Sequence, residues 1–170
     1  MRPLLKIIVM VAALVPLAAM EKAAAQALRF TTDSAAPIDV AAGHMVWQRA
    51  VGQAQLTDKA HMRQGPLTLS ADQLEIEFAA NGTAQNIRAD GQVVLHSAAD
   101  NDSAPSRATA KQAFVDLTRR TIELTGAVTM SVGDDAARQL TGAQLTLDMV
   151  SGRARLTGGG DKPRARIELR

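Results

Sequence analysis

Three stretches of the chain share one pattern: ADQLEIEF at residues 71–78, AKQAFVDL at 110–117 and GAQLTLDM at 142–149. Each reads small–x–Gln–x–x–apolar–acidic–apolar, and each is followed by a turn and a second apolar stretch that ends near a glycine. Successive side chains of a strand point to opposite faces, so Leu74, Ile76 and Phe78 share one face while Glu75 and Glu77 take the other. Ala113, Val115 and Leu117 hold the apolar places in the second copy, and Leu145, Leu147 and Met149 hold them in the third. No window longer than a few residues favours a 3.6-residue period. The pattern predicts an all-β chain made from a repeated strand–turn–strand unit.

A weaker copy lies upstream, where AGHMVWQ (42–48) puts Met45 and Trp47 in the places of Leu74 and Ile76. The four copies begin at residues 42, 71, 110 and 142, so the unit persists while its loops vary in length. QRAVG (48–52), AANGT (79–83), TRRT (118–121) and VSGR (150–153) separate strand-like runs. Asn81-Gly82 is the strongest hairpin signal, both positions tolerating a positive φ. The second runs cover 54–62, 86–95, 121–130 and 154–160. Val93, Leu95, Val128 and Met130 continue their apolar face, and Gly91, Gly126 and Gly158 recur near one place. Glycine inside a strand often marks a bulge or corner, so each unit is expected to bend there and fold the sheet over itself. The first copy has Asp58 where a glycine is expected.

Roughly a dozen to sixteen short strands, at about 4.8 Å spacing, make two facing sheets in a slab roughly 35 Å long. Antiparallel hairpins need no helical crossovers. Ala60, Ala89, Ala108, Ala110, Ala113 and Ala154 fall at inward positions, where either the sheets approach closely or the interior is underfilled. The loop at 97–106 is acidic and expected at the surface. Residues 28–37 read as an unstructured lead-in to a single domain at 38–170.

The first residues read as an export signal: Arg2 and Lys6 precede the apolar run 7–20, and AQA at 25–27 has the form cut by signal peptidase. The alternative is an uncleaved anchor. The whole chain carries +2, and the segment 1–27 also carries +2, so a mature chain starting near Leu28 is neutral. A nucleic-acid partner then loses its main support. There is no cysteine, and His44, His61 and His96 fall on three different strands, without metal-site spacing. No Gly-x-Ser-x-Gly or phosphate-binding glycine loop occurs. A spaced pair of carboxylates remains open on sequence grounds. Arg119, Arg120, Arg153 and Arg155 sit at turns, where they either meet phosphate or simply face water.

The pairing of ADQLEIEF with ADGQVVL, AKQAFVDL with LTGAVTM, and GAQLTLDM with ARLTGG resembles the OstA-like domain of the LptA family of periplasmic lipopolysaccharide-transport proteins, over residues 38–160. The resemblance implies a slightly twisted, open-ended β-jellyroll whose apolar interior holds the acyl chains of lipid A. On that basis Met45, Trp47, Leu74, Ile76, Phe78, Val93, Leu95, Val115, Leu117, Val128, Met130, Leu145, Leu147 and Met149 are the expected lipid-binding residues. It implies no catalysis and no cofactor. It also implies end-to-end stacking between an inner-membrane LptC-like and an outer-membrane LptD-like component. PIDVA (37–41) and RARIELR (164–170) are the strands available for that contact, through Ile38 and Val40 at one end and Arg166, Ile167 and Leu169 at the other. Two other readings stand beside this one: a membrane-anchored LptC-like component, and a secreted β-solenoid protein acting on polysaccharide.

Overall fold

A computed structural model describes residues 29–99, 104–133, 138–158 and 166–169; the expected signal segment lies outside them. Ten strands follow one another: β1 (Ile38–Ala41), β2 (His44–Gln48), β3 (Gln53–Gln64), β4 (Leu67–Phe78), β5 (Ala84–Ser97), β6 (Ser106–Asp116), β7 (Thr121–Val132), β8 (Arg138–Asp148), β9 (Ala154–Thr157) and β10 (Arg166–Leu169). They form one antiparallel sheet in the order β1-β3-β4-β5-β6-β7-β8-β10. Along its two edges, β2 also lies against β3 and β9 against β8. The all-β chain expected from the alternation, in the open-ended jellyroll form that the resemblance implied, is what the protein adopts.

The six central strands are each 11 to 14 residues long, about twice the usual length, because each is two strands joined at a bend. Pairing lapses at one shared place in all of them, and β4 and β5 slip a second time between Glu77 and Phe78. β3 leaves out Asp58 and Lys59 where β4 leaves out Asp72; β5 leaves out Gly91 and Gln92 against Lys111 of β6; β7 leaves out Gly126 and Ala127 against Ala143 of β8. Two residues against one is a β-bulge, which bends the strand and sharpens its twist. Both residues of each bulge are left-handed, with φ of 63° and 57° at Asp58 and Lys59, 75° and 42° at Gly91 and Gln92, and 83° and 53° at Gly126 and Ala127. Asp58 does the work of the missing glycine, since Asp tolerates this conformation better than most residues.

The bulges line up across the sheet and fold it into a V. One leaf, here the upper, holds β2, β9 and the segments 53–57, 73–78, 84–90, 112–116, 121–125 and 144–148. The lower holds β1, β10 and 60–64, 67–71, 93–97, 106–110, 128–132 and 138–142. The outermost strands break at the fold line instead of bulging, β1 from β2 at Ala42-Gly43 and β9 from β10 after Gly158. The four sequence copies begin at 42, 71, 110 and 142, so each starts on this line. The small residue that opens each of the three clear octets is the last paired residue before the corner: Ala71 pairs with Ala60, Ala110 with Val93 and Gly142 with Val128. Ala60 pairs with Ala71 and Ala89 with Ala113 beside it, and all four are buried. Most of the inward alanines therefore mark close approach of the leaves at the apex; Ala154, on β9, lies away from it.

The turns on the upper rim follow a common form, with a left-handed residue at Gly52, Gly82, Arg120 and Gly152. In the β4–β5 turn only Gly82 has positive φ. Asn81 instead accepts a hydrogen bond from the Thr83 amide at 3.0 Å through Oδ1, so its contribution is a side-chain one.

Candidate functional site: an apolar cleft between two leaves

Alternate residues of both leaves meet in one buried cluster. Among the expected inward residues, Leu74, Ile76, Val93, Leu95, Val115, Val128, Met130, Leu145, Leu147 and Met149 are buried. Phe78 and Leu117 are half-buried at the upper rim. Leu74, Leu124, Leu145 and Leu147 are all 0% exposed, which leaves no room for a water molecule beside them. The middle of the V is thus close-packed by its own side chains, and no trough hollow from mouth to mouth runs among the described residues. The leaves part at the β1/β2 end. There a cleft of about 470 Å³ opens between Ile38 and Val40 of β1 and Ile76, Phe78, Ala84, Ile87 and Leu117 of the upper leaf, with Thr83 at its rim. That volume falls within the roughly 300–1,000 Å³ common for ligand sites, and a mostly apolar lining is usual there.

Met45 and Trp47 depart from the expectation of burial, being 53% and 59% exposed. Their face is as expected, because they stand opposite the buried Leu56 and Ala54, and directly opposed residues of an antiparallel pair share a face. What they lack is cover: β2 is an edge strand, and no leaf lies over it among the described residues. Trp47 instead stacks on Phe78, with ring centroids 5.6 Å apart and 18° between planes. Together with Ile38, 36% exposed, they give this end of the molecule an apolar lip.

The lead-in also differs from its expectation. Residues 30–37 form no strand, and Arg29 only an isolated bridge to Arg153, but the segment is tied down along its length. The Phe30 amide donates to the Gly152 carbonyl at 2.9 Å on the upper rim. On the lower rim, Ser106 Oγ donates to the Arg29 carbonyl at 2.9 Å. Ser97 Oγ accepts from the Thr31 amide at 2.7 Å and donates to the Thr31 carbonyl at 3.0 Å. Gln64 Nε2 donates to the Ala36 carbonyl at 3.1 Å. Phe30 itself is 3% exposed, inside the core cluster. The available signal was a lone aromatic in an otherwise polar run, in a chain with only three Phe.

The turns bearing Arg119, Arg120 and Arg153 lie side by side, the Met149 amide donating to the Arg120 carbonyl at 2.9 Å. These arginines are exposed, as is Arg155 on β9. Arg119 lies 3.7 Å from Asp116. In the neighbouring turn, Asp148 Oδ1 accepts from the Val150 and Ser151 amides at 2.9 and 2.8 Å. The Ser151 amide contributes most to holding its carboxyl below the ordinary aspartate value, opposed by partial desolvation and aided by the Val150 amide and Arg153. The three histidines occupy β2, β3 and β5, all exposed. β1, with Ile38 and Val40, and β10, with Arg166, Ile167 and Leu169, lie on opposite edges of the sheet, both in the lower leaf.

A family model described as LptA/(LptD N-terminal domain) LPS transport protein matches residues 39–153, which take in three whole copies of the repeat and the first run of the fourth. No curated protein sequence matches. Among solved structures, the chain is similar to the crystal structure of LptH, the LptA homologous periplasmic component of the conserved lipopolysaccharide transport device from Pseudomonas aeruginosa. The TM-score is 0.66 at 14% identity, covering 82% of this chain and 99% of that one. At that identity the likeness is one of fold.

Proposed function

Because the chain belongs to the LptA/LptD N-terminal-domain family of LPS transport proteins, we propose that it carries lipopolysaccharide across the periplasm, sheltering the acyl chains of lipid A between its leaves. The observation that carries this reading is the apolar cleft at the β1/β2 end, continuous in composition with a core made almost wholly of Leu, Ile, Val, Met and Ala. Burying one CH₂ is worth about 0.8 kcal/mol, so an acyl chain of about fourteen carbons needs on the order of 11 kcal/mol of shelter. An apolar interior supplies that without directional bonds, and methionines such as Met62 and Met130 adapt to irregular contours. The task calls for no cofactor and for no bond to be made or broken. Export by a cleaved signal at 1–27 would place the protein where such a carrier works.

The two edges support a bridging role. Among the described residues β1 and β10 are the outermost strands at opposite edges of the sheet, and a neighbour's strand can add to either. Such contacts are head to tail and propagate as an open filament, whose ends would meet an inner-membrane LptC-like and an outer-membrane LptD-like component.

Photocrosslinking tests the lipid reading. A photoreactive residue at Ile76 or Val115, which face inward, is expected to give lipopolysaccharide adducts in cells, and one at Glu75 or at Glu77, on the outer face, is not. Equal labelling from both faces, or none from the inward pair, overturns the proposal.

A further inference from the structure

On the open side of the V, opposite the fold line, the rims of the two leaves face each other. Among the described hydrogen bonds only one segment reaches both rims. Residues 29–31 bond to Gly152 on the upper rim and to Ser97 and Ser106 on the lower. Arg29 stands opposite Arg153 in an isolated antiparallel bridge. Phe30, 3% exposed, is the only aromatic ring among the described buried residues. The fit is close at Gly152, where a side chain would collide with the Phe30 carbonyl. From there the segment runs along the lower rim to Gln64 and continues into β1, which borders the open cleft.

We propose that residues 29–36 are a latch: they hold the β8–β9 turn of the upper rim to the β5 and β6 ends of the lower rim, and they must lift before acyl chains can pass from the cleft into the half of the interior that Leu124, Leu145 and Leu147 fill. The inference rests on the reading of the interior as a lipid site. Two facts require some such step. The cleft opens at the β1/β2 end, and among the described residues Leu124, Leu145 and Leu147 beyond it leave no space even for water. An acyl chain can advance only if the leaves part, and the leaves are joined across their open side at Phe30. Phe30 and the incoming chain therefore compete for the same apolar space. A ligand that binds the lifted state better shifts the population toward it, and anything that favours the closed state lowers apparent affinity in proportion.

The test uses a disulfide. The chain has no cysteine, so Arg29→Cys with Arg153→Cys allows one bond only, between exposed positions whose Cα separation in an antiparallel pair suits it. Binding of fluorescently labelled lipopolysaccharide to the exported protein is compared before and after reduction of the same sample. The oxidised form is expected to load at least about tenfold more slowly or more weakly, with reduction restoring wild-type behaviour. Phe30→Ala is expected to load several-fold faster than wild type. Hydrogen exchange on the unmodified protein gives an independent readout: the Phe30 and Thr31 amides exchange faster once lipopolysaccharide is bound, while those of Ile122 and Leu124 do not. If wild type binds but oxidised and reduced forms load alike, or if the Phe30 and Thr31 amides gain protection, the latch is refuted and the lipid reading survives. If wild type binds no lipopolysaccharide, the lipid reading falls and takes the latch with it.

Discussion

Gly126 and Ala127 show what a single position contributes. Both are left-handed, a conformation that costs a residue with a Cβ roughly 1–2 kcal/mol. A Cβ at Gly126 would also sit 2.9 Å from that of Lys111 on the neighbouring strand. Gly126→Ala is therefore expected to lose about 2 kcal/mol or slightly more in urea denaturation. Ala127→Gly should change stability by less than about 1 kcal/mol, because relieved strain is offset by the greater freedom of glycine in the unfolded chain. Equal losses at the two positions would mean that the bulge geometry is misassigned. The same distinction between place and cover separates Leu147 from Trp47. Leu147→Ala leaves a void in a filled interior and should cost about 2–5 kcal/mol. Trp47→Ala, at an exposed edge, should cost less than about 1 kcal/mol. What Trp47 affects instead is what the end of the molecule can bind.

Among the elements, the bent strands were legible and the latch was not, for a physical reason. A strand with one buried face writes a period of two into the sequence, and a repeated corner writes a repeated small residue. Ala71, Ala110 and Gly142 announce the fold line along with Gly91 and Gly126. The latch is held by backbone groups bonding to Ser97, Ser106 and Gln64, far away in sequence, and such bonds impose no periodicity on residues 29–36. The exposure of Met45 and Trp47 was unreadable for a related reason: alternation specifies a face, whereas cover depends on where the sheet ends. The β8–β9 turn joins these elements, because its Gly152 carbonyl receives the Phe30 amide. Asp148 braces that turn, and the amides of Ser151 and Val150 hold its carboxyl below the ordinary aspartate value. A depressed folded value means that the ionised brace stabilises fully above the unfolded value and is lost as pH falls through the lower, folded one. Asp148→Ala is expected to cost up to about 1 kcal/mol at neutral pH, kept small by solvent exposure. Its deficit relative to wild type should shrink below pH 3.8. A deficit that stays constant with pH would show that the charge on Asp148 contributes nothing.

At the scale of the whole molecule, the two ends are built from different strands, and that asymmetry bears on what assemblies are possible. The β1/β2 end carries the apolar lip of Ile38, Trp47 and Phe78 beside an open cleft. The other end carries the short strands β9 and β10. A contact between unlike surfaces is heterologous, so a chain of such contacts has no natural stopping point unless it closes into a ring. Consider two variants: Trp47→Asp, which spoils the lip, and removal of residues 166–170, which takes away β10. Each keeps one good end, and neither should extend into filaments alone. Mixed in equal amounts, they are expected to form dimers and nothing larger, because the one productive contact joins the intact end of each and leaves only spoiled ends outside. Wild type under the same conditions should grow with concentration. Light scattering across a dilution series separates these cases. If the contact were instead self-complementary, one variant alone would still dimerise and mixing would add nothing, and the bridge reading would have to be abandoned.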